Sequence, residues 1–144
     1  MKNFTLLLLL LLTFQLTQAQ SSHLLVEKTL ANYIEGSSYN KLELLESAFS
    51  SNATLYLTSK EGFKIFTPKQ YVAFFKNSKA GVFNGRIGEV LSIDVVNDIA
   101  MAKVKIGIPT RNWIYVDLFL LKKTDKGWKI ISKTATRIDD GKSK

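Results

Sequence analysis

The ten residues from Trp113 to Lys122 are apolar at odd and even positions alike, broken only by Asp117 and the terminal lysine. Successive side chains of a strand point to opposite faces, so a strand of this kind has to be covered on both sides. The segments around it read differently. Ala102, Val104, Ile106 and Ile108 alternate with Lys103, Lys105 and Gly107, the pattern of a half-buried strand. Ile87, Leu91, Ile93 and Val95 share one parity and end at the turn Asn97-Asp98. Asp125-Lys126-Gly127 leads into a last strand, Trp128 to Ile138. Four long strands joined by short turns make an antiparallel sheet, and one of them demands cover on two faces. Helices can supply one cover; loops or a second copy of the chain must supply the other.

The helices lie upstream. From Ser22 to about Glu35, the residues Val26, Leu30, Tyr33 and Ile34 recur at helical spacing, and Gly36-Ser37-Ser38 reads as the stop. Asn40, with Glu43 three residues on, reads as the capping box of a second helix, with Leu42, Leu45 and Phe49 as its inner stripe. Asn52 to Thr58 and Phe63 to Thr67 flank Ser59-Lys60-Glu61-Gly62 and read as a hairpin. Thr67, Pro68 and Gln70 are the N-cap, N1 and N3 of a third helix, which carries Tyr71, Phe74 and Phe75 on one face and stops over Asn77 to Gly81. The expected fold is α+β: three N-terminal helices packed against a strongly curved antiparallel sheet, a cone with a pocket at its mouth.

Residues 1–19 read as a signal peptide, residues 20–138 as the domain and residues 139–144 as a frayed tail. Met1-Lys2-Asn3 is a short basic start, Phe4 to Phe14 is apolar with seven consecutive leucines, and Thr17-Gln18-Ala19 carries the small residues of a cleavage site. The apolar run is far shorter than the roughly 20 residues of a spanning helix. Cleavage after Ala19 is expected to give an exported domain, periplasmic or secreted, with no stable membrane insertion.

Residue types exclude several chemistries. The chain has no Cys and one His, so disulfides, thiolate metal sites, a cysteine nucleophile and multi-histidine metal sites are ruled out. No metal and no cofactor are expected. His23, the single candidate for a histidine base, sits beside the cleavage site, outside any expected pocket. The formal charge of +8 is spread over strand faces, and Lys103, Lys105, Lys129, Lys133 and Arg137 fall on polar parities. They read as a solvated basic stripe or as a surface for an acidic ligand; nucleic acid is not an expected partner of an exported protein. Gly81, Gly85 and Gly88 are not set between a strand and a helix, so they do not form a dinucleotide loop.

Asp117 is the carboxylate of interest, because it lies inside an apolar strand. Burial would favour its protonated form and make it a candidate general base or acid; pairing with a cross-strand Lys or Arg is the structural alternative. Trp113, Tyr115 and Phe119 share its parity and would line an aromatic cavity. Tyr33, Tyr56, Tyr71 and Tyr115 could offer a phenol to a ligand carbonyl. The ligand pocket is therefore expected from Tyr33, Tyr56, Tyr71, Trp113, Tyr115, Asp117 and Phe119. Ile114, Val116, Leu118 and Leu120, on the other parity, would form a homodimer interface through the sheet.

The order of elements resembles the nuclear-transport-factor-2-like superfamily. Tyr33-Ile34-Glu35-Gly36, followed by Lys41 to Phe49, resembles the opening of that fold. Asp117 to Lys123, with Gly127-Trp128-Lys129-Ile130-Ile131 and Lys133, resembles its closing hairpin. The combination is most similar to the SnoaL-like, lumazine-binding-like families and their secreted bacterial branch. The resemblance implies a cone-shaped fold that carries many functions. Isomerase and dehydratase members of the superfamily place a catalytic Asp or His on the early strands, and Asn52 to Thr58 contains neither. The expectation is an exported, non-enzymatic domain that binds a small ligand in an apolar aromatic pocket. The alternatives are a cofactor-free isomerase, cyclase or hydrolase using Asp117 as general base, and an interaction module with a filled pocket.

Overall fold

The structure, a computed structural model, describes residues 21–59 and 62–138. The expected leader and tail, and Lys60 and Glu61 of the expected hairpin turn, lie outside the described residues.

Helix α1 spans residues 21–38 and buries Val26, Leu30 and Tyr33 completely. It runs through Gly36 instead of stopping there, because α2 (Leu42–Ser47) crosses at that point. A Cβ on Gly36 would lie 2.5 Å from the Leu45 backbone nitrogen. The stop comes at Asn40, which adopts the left-handed conformation (φ 55°). Lys41 N–H donates to the Gly36 carbonyl at 2.9 Å and closes the helix. Asn tolerates that conformation better than most residues, so Asn40 ends the first helix and does not cap the second. The N-cap of α2 is Lys41, which makes no side-chain capping bond.

Two strands and a short helix come next: β1 (Phe49–Ser59), β2 (Gly62–Phe66) and α3 (Pro68–Val72), the last continued by a 3-10 turn at Ala73–Phe75. Phe49 belongs to β1 and not to the second helix. The start of α3 has the reciprocal bonds expected of it: Gln70 N–H donates to Thr67 Oγ1, and Thr67 N–H donates to Gln70 Oε1 at 2.8 Å. Thr67→Ala should lower stability by about 1 kcal/mol through loss of that cap. Thermal denaturation would check it, and an unchanged midpoint would show that the cap contributes nothing.

The rest of the chain is sheet: β3 (Ile87–Val96), β4 (Ile99–Ile108), β5 (Trp113–Thr124) and β6 (Gly127–Arg137). The six strands are ordered β2-β1-β6-β5-β4-β3. All neighbours are antiparallel except β1 and β6, which run parallel and attach the early hairpin to the last strand. The sheet curls around α1, and its inner face carries the core: Leu55 of β1, Val104 and Ile106 of β4, Phe119 and Leu121 of β5, Trp128 and Ile130 of β6. On β5 the doubly apolar pattern resolves as expected, with Asp117, Phe119 and Leu121 buried and Ile114, Leu118 and Leu120 exposed on the outer face.

Two bulges shift the parities read from the sequence. The β3–β4 register slips between Val90 and Ser92, so Ile87 and Leu91 are exposed while Ile93 and Val95 pack on the core. The β5–β6 register slips at Ile131: Leu121 faces Ile130, but Leu120 faces Ser132. A bulge inserts one unpaired residue and reverses the facing of the residues beyond it. Trp128 and Ile130 point inward, and past the bulge so does Lys133, which is 2% exposed. Lys133 is thus no part of a surface stripe. Lys105 pairs with Glu89 at the surface, and Lys129 donates to the Ser47 carbonyl.

Candidate functional site

Inside the cone, between the inner face of β5 and β6 and the segment entering β3, lies a chamber of about 560 Å³. Tyr71, Trp113, Tyr115 and Asp117 line it, together with Arg86, Lys133 and Arg137. Asp117 faces Val104 and Ala135 across the sheet, so its carboxylate is fixed by a strand at the centre of the fold.

Each Asp117 oxygen has a donor. Lys133 Nζ lies 3.0 Å from Oδ1, with both side chains almost wholly buried. Tyr33 donates its hydroxyl to Oδ2 at 2.6 Å. Tyr33 has one proton, so in its 2.8 Å contact with Tyr71 it accepts and Tyr71 donates. The result is a directed chain, Tyr71 to Tyr33 to Asp117, running from the chamber wall into the core. Burial, then the negative charge of Asp117, pushes the Tyr33 phenol well above its ordinary pKa, so it stays a donor. The rings of Tyr33, Tyr71 and Phe119 surround the Lys133 ammonium at 5.5–5.8 Å, close enough for cation–π attraction.

Arg86 reaches the chamber from the loop before β3. Its backbone N–H donates to Asn84 Oδ1 at 3.1 Å. Asn84 is held in turn by Asn40 Oδ1 and the Ser37 carbonyl, both at 2.7 Å. Asn40 also donates to the carbonyls of Lys79 and Val82. The asparagine that ends α1 therefore anchors the loop that carries Arg86. The guanidinium packs 5.5 Å from the Phe75 ring. Burial opposes its charge, but Tyr71, Tyr33, Asp117 and Tyr115 more than offset this and raise its pKa. Phenols are uncharged near neutrality, so Asp117 is the counter-charge that acts there.

Of the seven pocket residues expected from sequence, Tyr71, Trp113, Tyr115 and Asp117 line the chamber. Tyr33 and Phe119 lie behind it, with ring centroids 4.9 Å apart. Tyr56 is elsewhere: it faces outward and stacks on Phe63. This is a correction with a simple cause, since Ala53, Leu55 and Leu57 take the inner parity of β1. Asp117 has the cross-strand lysine partner of the structural alternative. The expectation of an apolar pocket omits the cations. Lys133 is hidden from sequence reading by the bulge, and Arg86 sits in a glycine-containing segment with no periodicity to place it. His23 is exposed on α1. Among the described residues no three His, Asp or Glu side chains cluster as a metal site, and no helix is long and apolar enough to cross a membrane.

A helix laid into a curled six-stranded sheet, with a chamber on the sheet's inner face, defines a cone-shaped domain of the nuclear-transport-factor-2-like superfamily. Solved structures agree. A nuclear-transport-factor-2-like protein of unknown function from Shewanella baltica is 21% identical with a TM-score of 0.71, over 84% of this chain and 96% of that one. A second, from Methylobacillus flagellatus, is 25% identical with a TM-score of 0.67, over 79% and 90%. A domain of unknown function with a cystatin-like fold from Nostoc punctiforme is 23% identical with a TM-score of 0.62, over 82% and 78%. Within the superfamily, the chain belongs to the family described as "Putative lumazine-binding", whose sequence profile matches residues 21–135. No protein of curated function is significantly similar.

Proposed function

We propose that this chain is an exported, non-enzymatic domain that binds a small planar ligand in the chamber and acts as a homodimer. The observation that carries the reading is the chamber itself. Its volume of about 560 Å³ is in the range of small-molecule sites, and it combines aromatic surface with a few convergent polar groups. An interaction module with a filled cone would have no such space. The family description names lumazine, a planar bicyclic ring, and Tyr71, Trp113 and Tyr115 offer faces and edges to a ring of that kind. Asp117 is a poor general base, because Lys133 and Tyr33 already occupy its two oxygens. Native mass spectrometry of protein from its own cells should find one small molecule per protomer. Ala135→Trp, which puts an indole into the chamber wall, should remove it. A bare polypeptide mass for the unmodified protein would refute the reading.

Export rests on the basic start, leucine run and Thr17-Gln18-Ala19 of the leader. N-terminal sequencing of the exported protein should begin at Gln20; a retained Met1 would contradict it.

The dimer rests on the outer face of the sheet. A groove of about 600 Å³ there presents a mainly apolar surface from Tyr56, Phe63, Met101, Leu118 and Leu120, with Ser92, Asp94, Lys103, Ser132 and Thr134 among them. Leu118 is 46% and Leu120 53% exposed, and contiguous apolar surface of this kind is unusual on a monomer. A two-fold partner would present the same surface to itself. The unmodified protein should sediment as a dimer at micromolar concentration. Val116→Lys, which sets a charge into that face, should give monomers or aggregates. A monomeric unmodified protein would overturn the dimer.

A further inference from the structure

We propose that the chamber selects an anionic planar ligand, an aromatic carboxylate whose oxygens are received by Arg86. The inference rests on the chamber being a ligand site and adds the charge of what it takes.

Three cations and one carboxylate line the chamber. The carboxylate is already matched, since Asp117 is bound by Lys133 and Tyr33. The Tyr71 proton is directed to Tyr33. Asp117 acts on Arg86 through its field alone, since Lys133 and Tyr33 take its two oxygens. The Nε of Arg86 is buried without a hydrogen-bond partner. A buried guanidinium donor left without an acceptor is costly, and native proteins rarely keep one. Here the group is also held in place: Asn84 fixes its backbone, and the Phe75 ring packs against the guanidinium. Arg86 lines the chamber, and a rigid guanidinium fork there is complementary to a carboxylate.

The rest of the wall suits a ring attached to that carboxylate. Trp113 is held by Arg111 on one contact, at 4.9 Å, and by Arg137 on another, at 5.6 Å. Tyr115 meets its edge, with centroids 6.2 Å apart. The aromatic lining is thus fixed before any ligand arrives, which reduces the ordering cost of binding. An uncharged amide of the same shape would fill the space but offer Arg86 only a neutral acceptor, and a charge-assisted bond is roughly twice as strong as a neutral one.

The test compares 2-naphthoate with 2-naphthamide, which share ring and shape and differ in charge, by isothermal titration calorimetry on the unmodified protein. Naphthoate should bind at least tenfold more tightly. Arg86→Gln should weaken naphthoate at least tenfold and naphthamide by much less, so that the preference between the two is lost, with circular dichroism confirming that the variant is folded. Equal affinity for the two probes would overturn the anion preference while leaving the chamber a ligand site. Failure of both to bind would overturn the ligand reading as well. Undiminished naphthoate binding by folded Arg86→Gln would overturn the role of Arg86. The comparison on the unmodified protein decides the charge preference even if the variant does not fold.

Discussion

Asp117→Asn should lower the unfolding free energy by about 3–5 kcal/mol, the usual cost of removing one partner from a buried ion pair. The side chain keeps its shape, so the loss is electrostatic. Tyr33 can still donate to the amide oxygen, but the Lys133 ammonium remains buried with no anion beside it. The surrounding rings at 5.5–5.8 Å supply only about 2 kcal/mol even when desolvated, which does not replace a carboxylate at 3.0 Å. Out of a typical total of about 5–15 kcal/mol, this is a change that urea denaturation reads easily. Removing both charges is expected to be far milder, because a matched buried pair is close to neutral against apolar replacements. Asp117→Asn combined with Lys133→Met should recover most of the loss. If the single variant costs less than about 1 kcal/mol, the pair is not a buried, unscreened contact.

Gly36→Ala should also be severe, for a different reason. In most helices this substitution stabilises by about 1 kcal/mol. Here the added methyl would lie 2.5 and 2.6 Å from the Leu45 backbone nitrogen and Cα, far inside van der Waals contact. A side chain in the way could rotate, but backbone cannot, so α2 must move off α1. A clash with backbone belongs at the upper end of the usual overpacking cost of about 1–3 kcal/mol, so after the propensity gain of about 1 kcal/mol the net loss should be about 2 kcal/mol. A variant as stable as the parent would show that the two helices are not in contact at this position.

How far the sequence speaks for itself depends on how local each feature is. The Thr67–Gln70 cap is made within one turn of chain, and it is readable as such. The inner parity of β5 is readable because no irregularity interrupts Tyr115, Asp117, Phe119 and Leu121. Lys133 and Leu91 are not, since each lies at or beyond a bulge and a bulge is decided by the neighbouring strand. Asn40 is ambiguous because asparagine serves both as an N-cap and in the left-handed conformation; the contact that decides between them comes from Asn84, 44 residues away. Arg86 owes its place to the same long-range clamp. The aromatic half of the chamber is therefore visible in sequence, and most of its cationic half is not.

The extra residue at Ile131 gives the last strand something like a reading frame. With it, Lys133, Ala135 and Arg137 face the chamber, and Ser132 and Thr134 face the outer groove. Were Ile131 taken into the ladder as a paired residue, the two sets would exchange, and two of the three cations would leave for hydroxyls with no side chain substituted. Loss of Ile131 would leave the facing as it is, because Ser132 would follow Ile130 at an outward position and Lys133 would still point in. The chemical character of the cavity is thus written in how β6 is paired as much as in its composition, while every hydrophobic position before the bulge stays where it is.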